Sequence, residues 1–214
     1  GEIMSICSVK YFEKAEDHHV YKGRLCYRGD QIKDEHGAVA VLQELSSSPA
    51  SIQSANCCIA YGMLPGNEVT VADAVRAYIQ SYLKSKHPTW VAIPKELWPA
   101  DGSWQRRGFK KPMCLLERAL YGHPESGGHW ERHLNAAVKK IGGVQIPEHP
   151  SCFWFEKDQS GKPLRIMLCV YVDDLLMSGP RQHHSTVWRL LQKEINIEDP
   201  APLDRFLGRT HARL

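Results

Sequence analysis

Three aspartates are the residues of this chain best suited to chemistry. Asp173 and Asp174 are adjacent, at the end of the apolar β-type run 166–172, and a second apolar run, 175–179, follows at once. This pattern predicts a β-hairpin whose tight turn is made of the two aspartates. Two-residue hairpin turns favour Asn-Gly, Asp-Gly or Gly-X, which tolerate a positive φ. Asp-Asp turns a chain poorly and holds a divalent cation well. Asp73 closes another short β-type run, Val69-Thr70-Val71. Three carboxylates at one place raise one another's pKa unless a cation sits among them. Mg²⁺ takes such oxygen ligands, and two ions about 4 Å apart clamp the attacking and leaving oxygens of an in-line phosphoryl displacement. The set suits nucleotidyl transfer. Taken singly, Asp73 also reads as a helix N-cap, and an Asp-Asp pair as a solvated acidic turn.

The three can act together only if the fold gathers them. Short runs at 7–12 and 19–28 read as strands that pair. Residues 46–54 read as a loop entering a helix near 52–62, which Gly62 and Pro65-Gly66-Asn67 end. The strand closing at Asp73 precedes a helical stretch over 75–84. Residues 85–111 are rich in Pro, Gly, Trp and Lys, with a strand at 90–93. Trp130, Leu134, Ala137, Val138 and Ile141 then fall on one face of an amphipathic helix within 124–141, which Gly142-Gly143 stops. A strand at 152–155, the hairpin at 164–179 and a helix over 182–195 follow, the helix with Val187, Leu190, Leu191 and Ile195 inward. Phe206-Leu207-Gly208 is a last apolar patch. From Val69 onward this order, with one insertion, is the β-α-β-β-α-β pattern of a ferredoxin-like α+β sheet. It places Asp73 and Asp173, far apart in sequence, on neighbouring strands.

Composition bounds the partners. The 214 residues carry a net charge of only +3 and are 43% hydrophobic, so a sizeable core is expected and any nucleic-acid surface must be local. One candidate is Arg106, Arg107, Lys110 and Lys111 around Trp104 and Phe109, a basic cluster with interleaved aromatics that can follow a nucleic-acid backbone and equally reads as a solvated loop. The seven cysteines form no C-x-x-C pattern, which points to reduced thiols, an intracellular protein (cytoplasm or nucleus) and no structural zinc. No apolar run has the length of a membrane span and no signal peptide is expected, so neither a membrane partner nor secretion is. The chain opens on Gly1 rather than Met, and reads as a piece of a longer polyprotein. Arg28-Gly29-Asp30 is treated as coincidence. Cys57-Cys58 is expected in a helix core, and His183-His184 at a solvent-facing helix start.

Asp73-Ala74-Val75-Arg76-Ala77-Tyr78, together with Tyr171-Val172-Asp173-Asp174, resembles the reverse transcriptases of copia-type retrotransposons. Tyr21-Lys22-Gly23-Arg24-Leu25 with Arg28-Gly29 is similar to the family's Lys-Ala-Arg-Leu-Val segment. Ala119-Leu120-Tyr121-Gly122 with Trp130 is similar to its Ala-Leu-Tyr-Gly segment, and Phe206-Leu207-Gly208 to the Phe-Leu-Gly that closes its palm. The matches occur in family order over nearly the whole chain.

The resemblance implies an RNA-directed DNA polymerase with a right-hand palm and fingers. It implies fingers over 1–67, the first palm motif over 68–84, an inserted connecting segment over 85–111, and palm with the start of a thumb over 112–214. Asp73 and Asp173 bind two Mg²⁺ ions on this basis, with Mn²⁺ as a substitute, and Asp174 supports them. Ala77 and Tyr78 contact the incoming deoxynucleotide, Tyr78 as a steric gate against a ribose 2′-hydroxyl or, more plainly, as a core aromatic. Arg24 and Lys22 grip the triphosphate. Tyr171 and the basic cluster touch the RNA or DNA template with its primer. No RNase H or integrase region is visible. Where the family commonly has Gly-Leu-Lys-Gln-Ala-Pro, this chain has Gly122-His123-Pro124-Glu125-Ser126-Gly127. Glu125 cannot donate the amide's hydrogen bond, and reads best as an acidic residue in the first turn of the 124–141 helix. Two rivals stand beside the polymerase: a decayed or repurposed copy that binds nucleic acid without extending a primer, and another two-metal enzyme such as a nucleotide cyclase.

Overall fold

The structure is a computed structural model that describes residues 1–13, 15–34, 36–38, 47–158 and 160–212, so Ser46 of the expected 46–54 loop lies outside the described residues. In chain order the elements are β1 (Ile3–Lys10), β2 (Val20–Tyr27), α1 (Ile52–Gly62), β3 (Asn67–Asp73), α2 (Ala77–Gln80), β4 (Trp90–Ala92), α3 (Ser103–Arg106), β5 (Met113–Leu115) and α4 (Ser126–Lys140). These are followed by β6 (Val144–Gln145), β7 (Cys152–Lys157), β8 (Pro163–Tyr171), β9 (Asp174–Pro180), α5 (Arg181–Gln192), β10 (Ala201–Pro202), β11 (Arg205–Phe206) and β12 (Arg209–Thr210). They form two compact units, residues 1–45 with 82–129 and residues 46–81 with 130–214. Residues 52–62 thus pack in the second unit and residues 112–129 in the first. The architecture is mixed α+β.

In the first unit β1 and β2 form an antiparallel hairpin and β4 pairs with β5. Tyr27, Ile32 and Val91 make its small core, with Ile3, Ile93, Leu116 and Leu120 against them.

The second unit is built on a six-stranded antiparallel sheet of order β10-β3-β9-β8-β7-β6. Its series β3-α4-β8-β9-α5-β10 is β-α-β-β-α-β, with β9 inserted antiparallel between β3 and β8. Strand alternation divides the side chains between two faces. Ala72, Ile166, Leu168, Val170, Leu175 and Met177 pack against α4 and α5, where Trp130, Leu134, Ala137, Val138, Val187 and Leu191 are buried, and against Ile141 and Ile195 just past the helix ends. The helix expected to reach 195 stops at Gln192, and Leu190 is only partly buried. Val69, Val71, Cys169 and Leu176 pack on the other face with Ala55 and Cys58 of α1. Gly62 lets the end of α1 come down on the sheet, since a Cβ there would collide with the Val69 side chain and the Glu68 carbonyl. Among the described residues, no helix is long and apolar enough to cross a membrane.

Several expectations are corrected. The helix expected over 75–84 is only the four residues of α2. Arg76 is left-handed (φ 52°), and the Val75 carbonyl accepts from the Gln80 side chain at 2.7 Å instead of from a helical N–H. Tyr82 then bridges strand-like to Arg118. The hairpin turn is Val172-Asp173, not Asp173-Asp174, because Tyr171 pairs with Asp174 and the positive φ (58°) falls on Val172. His184 is buried, not solvent-facing, with its ring nitrogens on Thr70 Oγ1 (2.8 Å) and the Gly179 carbonyl (3.1 Å). Cys58 is in the core but Cys57 is exposed, one residue round the helix. Glu125 stands one residue before α4 rather than in its first turn, and is itself buried.

Candidate functional site

The end of the sheet where β3, β8 and β9 meet is shaped by register. Asp73, last residue of β3, lies directly opposite Asp174, first residue of β9. Alternation puts Asp73 on the face of Val69 and Val71, and Asp174 on the face of Leu176, so both carboxylates leave the sheet on its α1 side. Asp173 occupies the turn between them and β8. Backbone bonds lock this corner. Ala74 N–H donates to Asp173 O (2.7 Å), Glu198 N–H to Asp73 O (2.8 Å) and Val75 N–H to Asn196 O (3.0 Å). Gln80 ties the same strands through its side-chain amide, donating to Val75 O and Asn196 O and accepting from Asn196 N–H. Asp73 is therefore not a helix N-cap. The residue at that position of α2 is Arg76.

The electrostatics follow from this convergence. Asp174 is half-buried, and its carboxyl is pushed up to about 6, first by desolvation, then by the charges of Asp73 and Asp173, with a side-chain hydrogen bond to Asp73. Tyr78 packs against the core beside the fully buried Ala77. Its phenol is raised by burial and then by the Asp173 carboxylate. Tyr171, on the other side of the turn, is exposed. Among the described residues, no three His, Cys, Asp or Glu side chains stand in an arrangement that would hold a metal ion as they are. The aspartates share one corner of the sheet without closing on a common centre. As a donor set they fit Mg²⁺ or Mn²⁺, being hard oxygens whose mutual repulsion a cation would relieve.

The remaining expected residues lie in the first unit. Arg24 and Lys22 alternate onto one face of β2, opposite Ile6 and Ser8 of β1, and Arg24 is exposed. The basic cluster is partly engaged within the first unit: Arg106 donates to Asp101 O (2.7 Å), the Arg107 guanidinium lies 5.7 Å from the Phe109 ring centroid, and Lys111 pairs with Glu2 at 3.3 Å. Lys110 is exposed. Glu125 accepts a short hydrogen bond from Ser85 Oγ and lies 3.5 Å from His129 Nε2, so its carboxylate is held inside the first unit.

Sequence reasoning missed three contributors to the corner: Gln80, the 196–198 segment, and Trp130, whose indole N–H donates to Val172 O at 2.7 Å. Trp130 was legible as a core position, and a buried indole calls for a hydrogen-bond acceptor. Nothing in the sequence says which one.

No family model matches the chain. Over 98 residues it is 35% identical to the retrovirus-related Pol polyprotein from transposon RE1 of Arabidopsis thaliana, covering 45% of this chain and 6% of that protein. Over 94 residues it is 32% identical to a transposon Ty5-1 protein of Saccharomyces cerevisiae, covering 44% of this chain and 29% of that protein. The matched part is a minor share of either relative. Both are transposon proteins by name, and the likeness supports a retroelement origin for this chain.

Proposed function

We propose that this retroelement-derived chain is the fingers and palm of a copia-type RNA-directed DNA polymerase, adding deoxynucleotides to a primer 3′-hydroxyl on an RNA or DNA template. The observation that carries the reading is the register of β3 and β9, which sets Asp73 opposite Asp174 with Asp173 in the adjoining turn. A structural role gives no reason to bring three like charges to one corner at the cost of raising a carboxyl to about 6.

In this reading Asp73 and Asp173 hold two Mg²⁺ ions and Asp174 supports them. The bound ions supply charge neutralisation to the oxygens of the transferring phosphoryl group. The chain's own contribution is placement. The bonds from Ala74, Glu198 and Asn196 fix the backbone on which Asp73 and Asp173 stand, so little reorganisation is left for the reacting complex. Ala77 and Tyr78 contact the incoming deoxynucleotide, and the half-buried Tyr78 ring has the rigidity a gate against a ribose 2′-hydroxyl needs. Arg24 and Lys22 take the triphosphate role. Tyr171, Arg106, Arg107, Lys110 and Lys111 are assigned to the template and primer.

The test is primer extension on an RNA template with Mg²⁺. Wild-type protein extends the primer and Asp173→Asn does not; equal extension by that variant overturns the assignment. Binding of nucleic acid with no Mg²⁺-dependent extension by wild-type protein selects the repurposed copy instead. Pyrophosphate release from nucleotide without any template selects a cyclase-like enzyme.

A further inference from the structure

The turn that carries Asp173 is held from outside its own hairpin. Val172 is β-branched and sits at φ 58°, a left-handed conformation that such residues adopt only when something else enforces it. Asp173 lies between two peptide planes, one ending in the Val172 carbonyl and one in its own. Both carbonyls are taken by donors from other elements: Val172 O by the Trp130 indole N–H of α4 at 2.7 Å, and Asp173 O by Ala74 N–H after β3 at 2.7 Å. The backbone of Asp173 is thus pinned on both sides. One of the two pins is a side chain. Trp130 itself is only 2% exposed and packed among the α4, α5 and sheet residues of the larger core. An ordinary core aromatic there would fill the same space and leave Val172 O without this donor.

We infer that Trp130 is a positioning residue: its indole N–H holds the strained Val172 peptide and thereby aims the Asp173 carboxylate at the cation site. This rests on the proposed reading for both the cation and the reaction, and Mn²⁺ binding without nucleotide or primer tests the hold apart from the chemistry. Trp130 touches no reacting atom. Its effect passes through the turn.

The decisive variant is Trp130→Phe, which keeps an aromatic ring and loses the donor. Mn²⁺ binding to the full chain, measured by water-proton relaxation without nucleotide or primer, is expected to weaken on the order of tenfold, the usual effect of losing a group that orients a metal ligand. In primer extension kcat falls by a similar factor while KM for the deoxynucleotide stays within about twofold, since nothing that touches the nucleotide has changed. Val172→Gly in the Trp130→Phe background restores part of both losses, because glycine takes the positive φ without needing to be held. Phe153→Leu, an equally buried core change in β7 whose ladder partners are Gln145 and Leu168 rather than residues of the turn, loosens the core and leaves Mn²⁺ affinity unchanged. A folded Trp130→Phe protein with wild-type Mn²⁺ affinity overturns the proposal, as does an equal loss of affinity in Phe153→Leu. If Trp130→Phe does not fold, hydrogen exchange of the wild-type Trp130 indole decides: exchange as slow as the core amides supports the hold, and fast exchange overturns it. Wild-type protein that extends no primer defeats the polymerase reading alone, and leaves the Mn²⁺ and exchange measurements to judge Trp130.

Discussion

The two ends of the β3–β9 strand pair solve the problem of half-buried polar groups in opposite ways. At one end the register sets Glu68 beside Gly179, and the Glu68 carboxylate meets complements there. Glu68 pairs with Arg181 at 3.1 Å and lies 3.8 Å from His184, while Thr70 Oγ1 meets His184 and also accepts from the Trp188 indole at 2.9 Å. At the other end the same ladder sets Asp73 opposite Asp174, with Asp173 next to both, and after burial it is like charge that raises the Asp174 carboxyl. A sheet can satisfy its polar ends, and this one does so where nothing else is required. In the proposed reading, the end crowded with like charge is the one shaped by chemistry.

Breaking each end should therefore give opposite results. The largest effect is expected for Asp73→Asn: primer extension falls roughly a thousandfold or more, the loss of several kcal/mol of transition-state stabilisation, with no fall in the thermal unfolding midpoint of the metal-free protein. A parallel loss of stability and activity would place Asp73 in the frame instead of the chemistry. Next comes His184→Ala at the satisfied end. It opens a cavity and strips a partner from Thr70, so it should cost about 2–4 kcal/mol in denaturant unfolding, without changing kcat per folded molecule.

A smaller effect of reversed sign is expected for Asp174→Asn. The folded carboxyl titrates near 6, above its ordinary value of 3.8. The native state therefore binds the extra proton between those values, and this group's penalty is fully present above pH 6 and gone below about pH 4. Removing the charge should stabilise the metal-free protein at pH 8 by about 1 kcal/mol, after discounting for its partial solvent exposure. The stabilisation should vanish on acidification through that window. The difference between wild type and variant is the quantity to follow, because burial holds His184 and His123 below the ordinary histidine value and both destabilise the fold over an overlapping acid range. A constant difference from pH 8 to pH 4 would show that Asp174 is not under like-charge strain. The smallest effect is expected for Arg181→Ala. Arg181 is largely exposed, and losing its pair with Glu68 should change stability by less than about 1 kcal/mol, less still in high salt.

What could be read from the sequence follows the range of the interactions involved. The buried positions of α4 from Trp130 to Val138, and Val187 and Leu191 of α5, were legible because a 3.6-residue period is a local property that burial follows directly, although α5 ends at Gln192 and Ile195 is buried beyond it. The β8–β9 hairpin was legible for the same reason, but its turn was misplaced by one residue. The flanking apolar runs placed the turn at the aspartates, and the ladder instead put Val172 at the positive φ, where Trp130 from another element holds it. The 75–84 stretch had helical spacing, and lost most of its helix to the Gln80 amide and to partners at 118 and 196 that spacing cannot reveal. His183-His184 looked like a solvent pair because nothing nearby in sequence asks for a buried imidazole. The donor and acceptor that do so, the Thr70 hydroxyl and the Gly179 carbonyl, lie on β3 and β9.

By itself, then, the sequence determined which residues are acidic, which stripes are apolar and in what order strands and helices come. These are properties of neighbours along the chain, carried by covalent spacing. Only the tertiary structure decided that residue 73 faces residue 174, that the residue between Tyr171 and Asp173 bends backwards, and that an indole from α4 reaches it. Those depend on strand register and on side chains meeting across the core, where a shift of one position turns every group to the opposite face.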